Sequence, residues 1–202
     1  MLAIHFGHAV DYLQAVLGYE WSKTSSVLVT GRKETVLVGK TGEVIDEHFP
    51  VGAPDAVFFQ GLLKGDGESV GREVPINMSI RGGQVFKDTD GMEWRIYGEK
   101  GEIRVTAAGP FLQVGYEGMS VKVYDFQADQ VEEVKWDESP FEGLEMKVRN
   151  VAKVYEAIWR VLEEAKGKAV TEEQLKKERL CSFEDAMDRH KLLDGMLKEN
   201  GF

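Results

Sequence analysis

Apolar positions along the chain change period twice, and each change marks a different kind of element. In HAVDYLQAVLG, residues 8–18, the side chains of Val10, Leu13, Val16 and Leu17 share one stripe, and Gly18 follows as a stop. That spacing predicts a short amphipathic helix over 9–17. From Trp21 to about residue 136 the repeat shortens. Runs such as SSVLVT, ETVLVG, DAVFFQGLL, VPINMSI, EWRIYG, EIRVTA, FLQVGY, SVKVYDF and VEEVKW are separated by TGR, KGDGES, RGG, TDG and GEKG. These are strands joined mostly by hairpins. The sharpest is YGEKGEIRV, where Gly98 and Gly101 frame the turn. From Leu144 the longer period returns: Val148, Val151, Tyr155, Ile158, Leu162 and Ala165 continue at spacings of three and four. The stripe predicts a helix of about six turns. Thr171, with Glu173 and Gln174 close behind, reads as an N-cap, and a last helix is expected from Ser182, with Asp185 three residues on, to Gly201.

One helix, a series of antiparallel-type strands and then helices is an α+β pattern. It predicts a single domain over residues 1–202, with one large, mostly antiparallel sheet and helices on one face. The opposite face is left without a helix. Because strands such as AVFF and VLV are apolar in continuous runs, that open face is expected to associate, making the chain a homo-oligomer with room for a protein partner.

Composition narrows the function classes. Hydrophobic residues make up 43% and charged residues 30% of 202, ordinary for a globular protein. A net charge of −10 opposes general binding to nucleic-acid backbones, which needs a concentrated basic surface. Cys181 is the only cysteine, so an internal disulfide and a cysteine-built zinc site are both excluded. No apolar run reaches the roughly 20 residues of a membrane span, and MLAIHFGHAV has no basic start of the signal-peptide kind. A cytoplasmic protein is the expectation.

Motifs for common chemistries are missing. GDGESVG, residues 65–71, has the wrong spacing for a dinucleotide fingerprint and lies between two strands, so it reads as a hairpin loop. Neither G-x-x-x-x-G-K-[ST], G-x-S-x-G nor H-E-x-x-H occurs. His5, His8 and Asp11 are acceptable metal-ligand types. His5 and Asp11, however, are six residues apart and turn away from each other on a helix, so no metal is expected. His48 is read as a loop residue before Pro50. His190 is read as structural, on the apolar stripe beside Met187 and Leu193.

Taken in order, GHAVDYLQAVLGYEW, APDAVFFQGLLKGDGESV, EWRIYGEKGEIRV, NVAKVYEAIW and SFEDAMDRHKLLDGML resemble the C-terminal domain of the Gfo/Idh/MocA oxidoreductases. MLAIHFGHAVD and GLLKGDG look most similar to its fungal branch, which includes galactose-pathway regulators. The resemblance implies a domain that touches substrate and oligomerises through its sheet, while a separate Rossmann domain holds NAD or NADP and a catalytic lysine. By that resemblance, His8 falls at the position of a substrate-facing catalytic histidine. Asp11 falls at an aspartate for local hydrogen bonding or substrate contact. The acid that active members hold four positions before the histidine is Ile4 here, which cannot move a proton. No Rossmann fold and no Glu-Lys-Pro lysine lie within these 202 residues, so no cofactor is expected in this chain. The resemblance also implies that the first helix packs beside a preceding domain, which would leave Leu2, Ile4 and Phe6 exposed.

Two functions follow. One is a non-catalytic, oxidoreductase-like domain acting in oligomerisation or regulation. The other is the substrate domain of an NAD(P)-dependent sugar or polyol oxidoreductase, completed by a Rossmann domain from elsewhere. A sugar-binding module using His8 or Trp94 is weaker, since aromatics on strands are more often core.

Overall fold

The computed structural model describes residues 2–18, 20–65, 70–71, 73–112, 118–135, 141 and 143–202. Its contacts divide into two compact units, residues 1–83 with 183–202, and residues 84–182.

In the first unit a π-helical turn, Leu2–Phe6, leads directly into α1, Gly7–Leu17. Strands β1 (Glu20–Val29), β4 (Ala56–Lys64) and β5 (Glu73–Arg81) pair antiparallel in the order β1-β4-β5, and β2 (Glu34–Val38) pairs with β3 (Val44–Pro50). Helix α4, Phe183–Glu199, belongs to the same unit. The core is built from Phe6 and Val10 before β1, Leu28 on β1, Val57 and Phe59 on β4, and Leu193 and Met196 on α4. Phe59 is its centre. Phe6 and Trp21 both meet its ring edge-to-face, with centroids 5.3 and 5.1 Å apart. Trp21 fits there because β1 bulges between Trp21 and Lys23, opposite Leu63 and Leu62, and because Gly61 on β4 has no side chain: an added Cβ would come within 2.9 Å of the indole.

In α1 the buried side chains include Val10, Leu13, Gln14 and Leu17, while Val16 is 52% exposed. Val16 therefore leaves the expected stripe. Six residues beyond Val10 it sits about 240° round the helix, on the far side from the sheet. The helix ends at Gly18, whose φ of +121° and whose 2.3 Å approach from a Cβ to the Lys64 carbonyl oxygen admit only glycine.

In the second unit β6 (Met92–Tyr97), β7 (Gly101–Ala107), β8 (Ser120–Asp125) and β9 (Gln130–Glu133) form a meander in chain order. The hairpin expected at Gly98 and Gly101 is borne out, closed by a 2.9 Å hydrogen bond from Gly98 N–H to the Gly101 carbonyl. Arg95 and Arg104 face each other across β6 and β7. Their like charges are tolerated because Arg95 pairs with Glu102 and Arg104 with Glu93. Helix α2 is Met146–Ala165, and α3, Glu172–Lys177, carries the expected Thr171 cap. Gln174 N–H donates to Thr171 Oγ1 and Gln174 Oε1 accepts from Thr171 N–H.

The α+β class with antiparallel sheets and helices is borne out. The expected single sheet is not. Among the described residues the strands pair in three sets of three, two and four. The cause in the first unit is that β2 and β3 run past the end of β5, whose last pair is Arg81 with Ala56. Strand β3 itself contains His48, expected in a loop. Asp46-Glu47-His48 breaks the apolar alternation, and Pro50 is admissible because it ends an edge strand. The strand expected at FLQVGY from Gln113 on, the loop residues 66–69 and 72, and Trp136 lie outside the described residues.

Candidate functional site

The corner where α1 meets α4 holds the residues that the sequence singled out. The π-helical turn places His5 half-buried ahead of α1, and His8 stands exposed in the first turn of α1. One turn on, Asp11 Oδ1 lies 2.5 Å from Nη2 of Arg189 on α4, with the arginine side chain only 15% exposed. The contact is an ion pair without hydrogen-bond alignment, and Arg189 Nε reaches no acceptor. The structure thus ties Asp11 to a cation far along the chain. Arg189 had no signal of its own in the sequence: it is one charged residue of a mixed helix, and only packing shows that it sits under Asp11. Burial raises the Tyr12 hydroxyl above its ordinary pKa.

Among the described residues no three His, Cys, Asp or Glu side chains converge as a metal would need. His190 is exposed rather than on the stripe of α4, which runs instead through Leu193 and Met196. His48 bonds Glu34 across the hairpin, Nδ1 to Oε2 at 2.8 Å, with both side chains exposed. Of the expected apolar strip at the chain start only Ile4 is open, at 58%. Leu2 and Phe6 are buried because the turn folds back onto the core.

A hollow of about 150 Å³ lies between β1 and α4, beside Ser26, Lys191 and Glu199. It is well below the roughly 300 Å³ at which ligand pockets begin. Next to it Asn200 mimics a neighbouring strand: its Oδ1 accepts from Leu28 N–H at 3.0 Å, and its Nδ2 donates to Ser26 Oγ at 3.1 Å.

The larger features are open apolar surfaces. On the three-stranded sheet the face opposite the core carries Val27, Val29 and Phe58, which are 55%, 40% and 52% exposed. Val27 and Phe58 are direct cross-strand partners. Beyond this sheet β2 and β3 prolong the same ribbon, since Asp55 N–H still bonds Val29 and Val51 N–H still bonds Lys33. The Asp55 carboxylate clasps the joint, accepting from Gly31 N–H at 2.7 Å and from Arg32 N–H and Nε at 3.1 and 3.0 Å. These donors, Gly31 first and then Arg32, hold its carboxyl below the usual range. On the prolonged arm Val36, Val38, Val44, Ile45 and Phe49 are all exposed.

In the first unit a helix-backed antiparallel sheet thus leaves apolar side chains exposed beside a small hollow. The family model for the Gal80p C-terminal domain matches residues 1–107, and the chain belongs to that family. It is similar to the galactose/lactose metabolism regulatory protein GAL80 of Kluyveromyces lactis, 26% identical over 115 residues that make up 56% of this chain and 24% of that one. The Saccharomyces cerevisiae GAL80 is 28% identical over 111 residues, again 24% of its length. The fold matches a super-repressor mutant of S. cerevisiae Gal80p with a TM-score of 0.72 and 21% identity, over 99% of this chain and 47% of that one. It matches the K. lactis transcriptional regulator Gal80p at 0.69 and 23%, over 99% and 43%. The chain therefore spans about a quarter of the curated relatives where sequences align, and just under half of the solved structures. No helix among the described residues is long and apolar enough to cross a membrane.

Proposed function

We propose that this chain is a non-catalytic regulatory domain that works in the cytoplasm by binding proteins, a second copy of itself included, through the open face of its three-stranded sheet. The match of residues 1–107 to the Gal80p C-terminal domain carries this reading. The chemistry at the α1–α4 corner supports it. Asp11 is held by Arg189 and is no free proton acceptor for His8, and at the position of the active members' acid stands Ile4, an apolar side chain. His8 and Asp11 then serve as contact and positioning groups, with His8 exposed to meet a ligand or partner. No cofactor is held by this chain's own residues. Val27 and Phe58 supply the apolar centre of the self-association surface.

The test is a pair of assays on the purified chain. Titration with NAD(H) or NADP(H) is expected to give no binding, and a panel of sugars and polyols is expected to give no change in nicotinamide absorbance. Turnover of any sugar would overturn the reading and favour the alternative of a substrate domain.

A further inference from the structure

Of the asparagines in the chain, Asn77 precedes Met78, Asn150 precedes Val151, and Asn200 alone is followed by glycine. In an Asn-Gly pair the next backbone nitrogen can close on the side-chain carbonyl carbon, because glycine brings no Cβ to crowd the approach and its backbone turns freely. The fold holds this pair back. Asn200 Oδ1 accepts from Leu28 N–H at 3.0 Å. Its Nδ2 donates to Met196 O at 2.9 Å, to Ser26 Oγ at 3.1 Å and to Ser26 O at 3.4 Å. Gly201 N–H is itself engaged with Lys198 O at 3.3 Å, in a left-handed turn with φ of +75°. Ring closure therefore requires the carboxamide to leave its partners.

What the carboxamide holds is the end strand of a sheet. Among the described residues β1 is the outer strand of the set β1-β4-β5, and Leu28 N–H and Ser26 C=O bond to Asn200 where a further strand would lie. We propose that Asn200–Gly201 is a self-modifying site, which converts when the end of α4 opens and then cannot latch onto β1 again. Gly201 N, losing its proton, bonds to Asn200 Cγ; the Cγ–Nδ2 bond breaks and ammonia leaves, giving a five-membered imide. Water then opens one of the two imide carbonyls, leaving aspartate or isoaspartate. Neither product restores the latch. A carboxylate has no N–H to give Ser26 and Met196, and its charge meets their carbonyl oxygens. Isoaspartate also lengthens the main chain by a carbon where α4 ends. The site is a one-way timer whose rate follows the local opening of α4 from β1. The inference rests on the first unit alone and does not depend on the regulatory reading.

The purified full chain is held in mildly alkaline buffer at physiological temperature, and the peptide that trypsin releases after Lys198 is followed by mass spectrometry. Conversion is expected at Asn200, with Asn77 and Asn150 unchanged as internal controls. The free hexapeptide Leu197–Phe202 has no latch and should convert at least about tenfold faster than the folded chain. Ser26→Ala removes one acceptor without touching the reacting pair, so it should speed conversion of the folded chain several-fold. The consequence is read in Asn200→Asp, where the Leu28 amide should lose hydrogen-exchange protection while amides between β4 and β5 keep theirs. Aged parent chain, separated by ion exchange, gives the same readout should that variant fail to fold. Equal rates in chain and hexapeptide would overturn the proposal, as would no conversion over about a hundred half-lives of the hexapeptide. So would a Ser26→Ala rate equal to the parent's, or a Leu28 amide that stays protected in the converted chain.

Discussion

Asp11 shows how one contact decides a residue's role. Read along the chain it is a carboxylate three residues after a histidine, the material of proton transfer. In the fold it is half of a partly buried ion pair with Arg189, whose guanidinium is mostly enclosed. Removing the cation leaves the carboxylate without that partner in a half-buried corner, which costs about 1–3 kcal/mol. Arg189→Met keeps the stem of the side chain but not its charge, and it should lower the thermal midpoint by several degrees in calorimetry. An unchanged midpoint would mean that the pair is incidental. The nearness of His8 and Asp11 along one helix was legible in the sequence as spacing; Arg189 was not, because nothing local distinguishes it from the other charged positions of its helix.

Elements with a local signature were read well. The Gly98–Gly101 hairpin, the Thr171 cap and the extent of α2 follow from turn chemistry, capping and period, all of which act within a few residues. Strand β3 escaped because its polar run and Pro50 are acceptable only at an exposed edge, a property of position in the sheet. The arm formed by β2 and β3 depends on the Asp55 clasp at its base, and this makes it sensitive to acid. Asp55 has its folded pKa lowered by Gly31 N–H and Arg32, so its contribution is present above the unfolded value and is lost as pH falls through the folded one. A carbon-detected NMR titration should place the Asp55 midpoint below the ordinary ~3.9. The Gly31 amide shift should move with it, and neither change should occur in Asp55→Asn. A midpoint at or above the ordinary value would remove the clasp from the account.

At the scale of the whole molecule, the two ends of the chain complete one core. Leu193 and Met196 on α4 pack into the core with Phe59, and Asn200 just beyond the helix bonds Leu28 and Ser26, across some 170 residues of sequence. A chain truncated after Ser182 should therefore lose cooperative unfolding of the first unit, with β1 and β4 amides exchanging freely in hydrogen-exchange measurements. Protected amides in that truncation would show that α4 is dispensable. The same scale separates the two halves of the sequence reading. Local period, turn residues and caps determined the α+β class, the order of helices and strands and the existence of an apolar stripe on α2, because each is set by neighbours within about one helical turn or one strand pair. Which stripe is buried, what holds Asp11 and where the arm leaves the sheet were decided only by tertiary structure. A period reports that a face seeks cover, whereas the surface that covers it comes from residues distant in the chain.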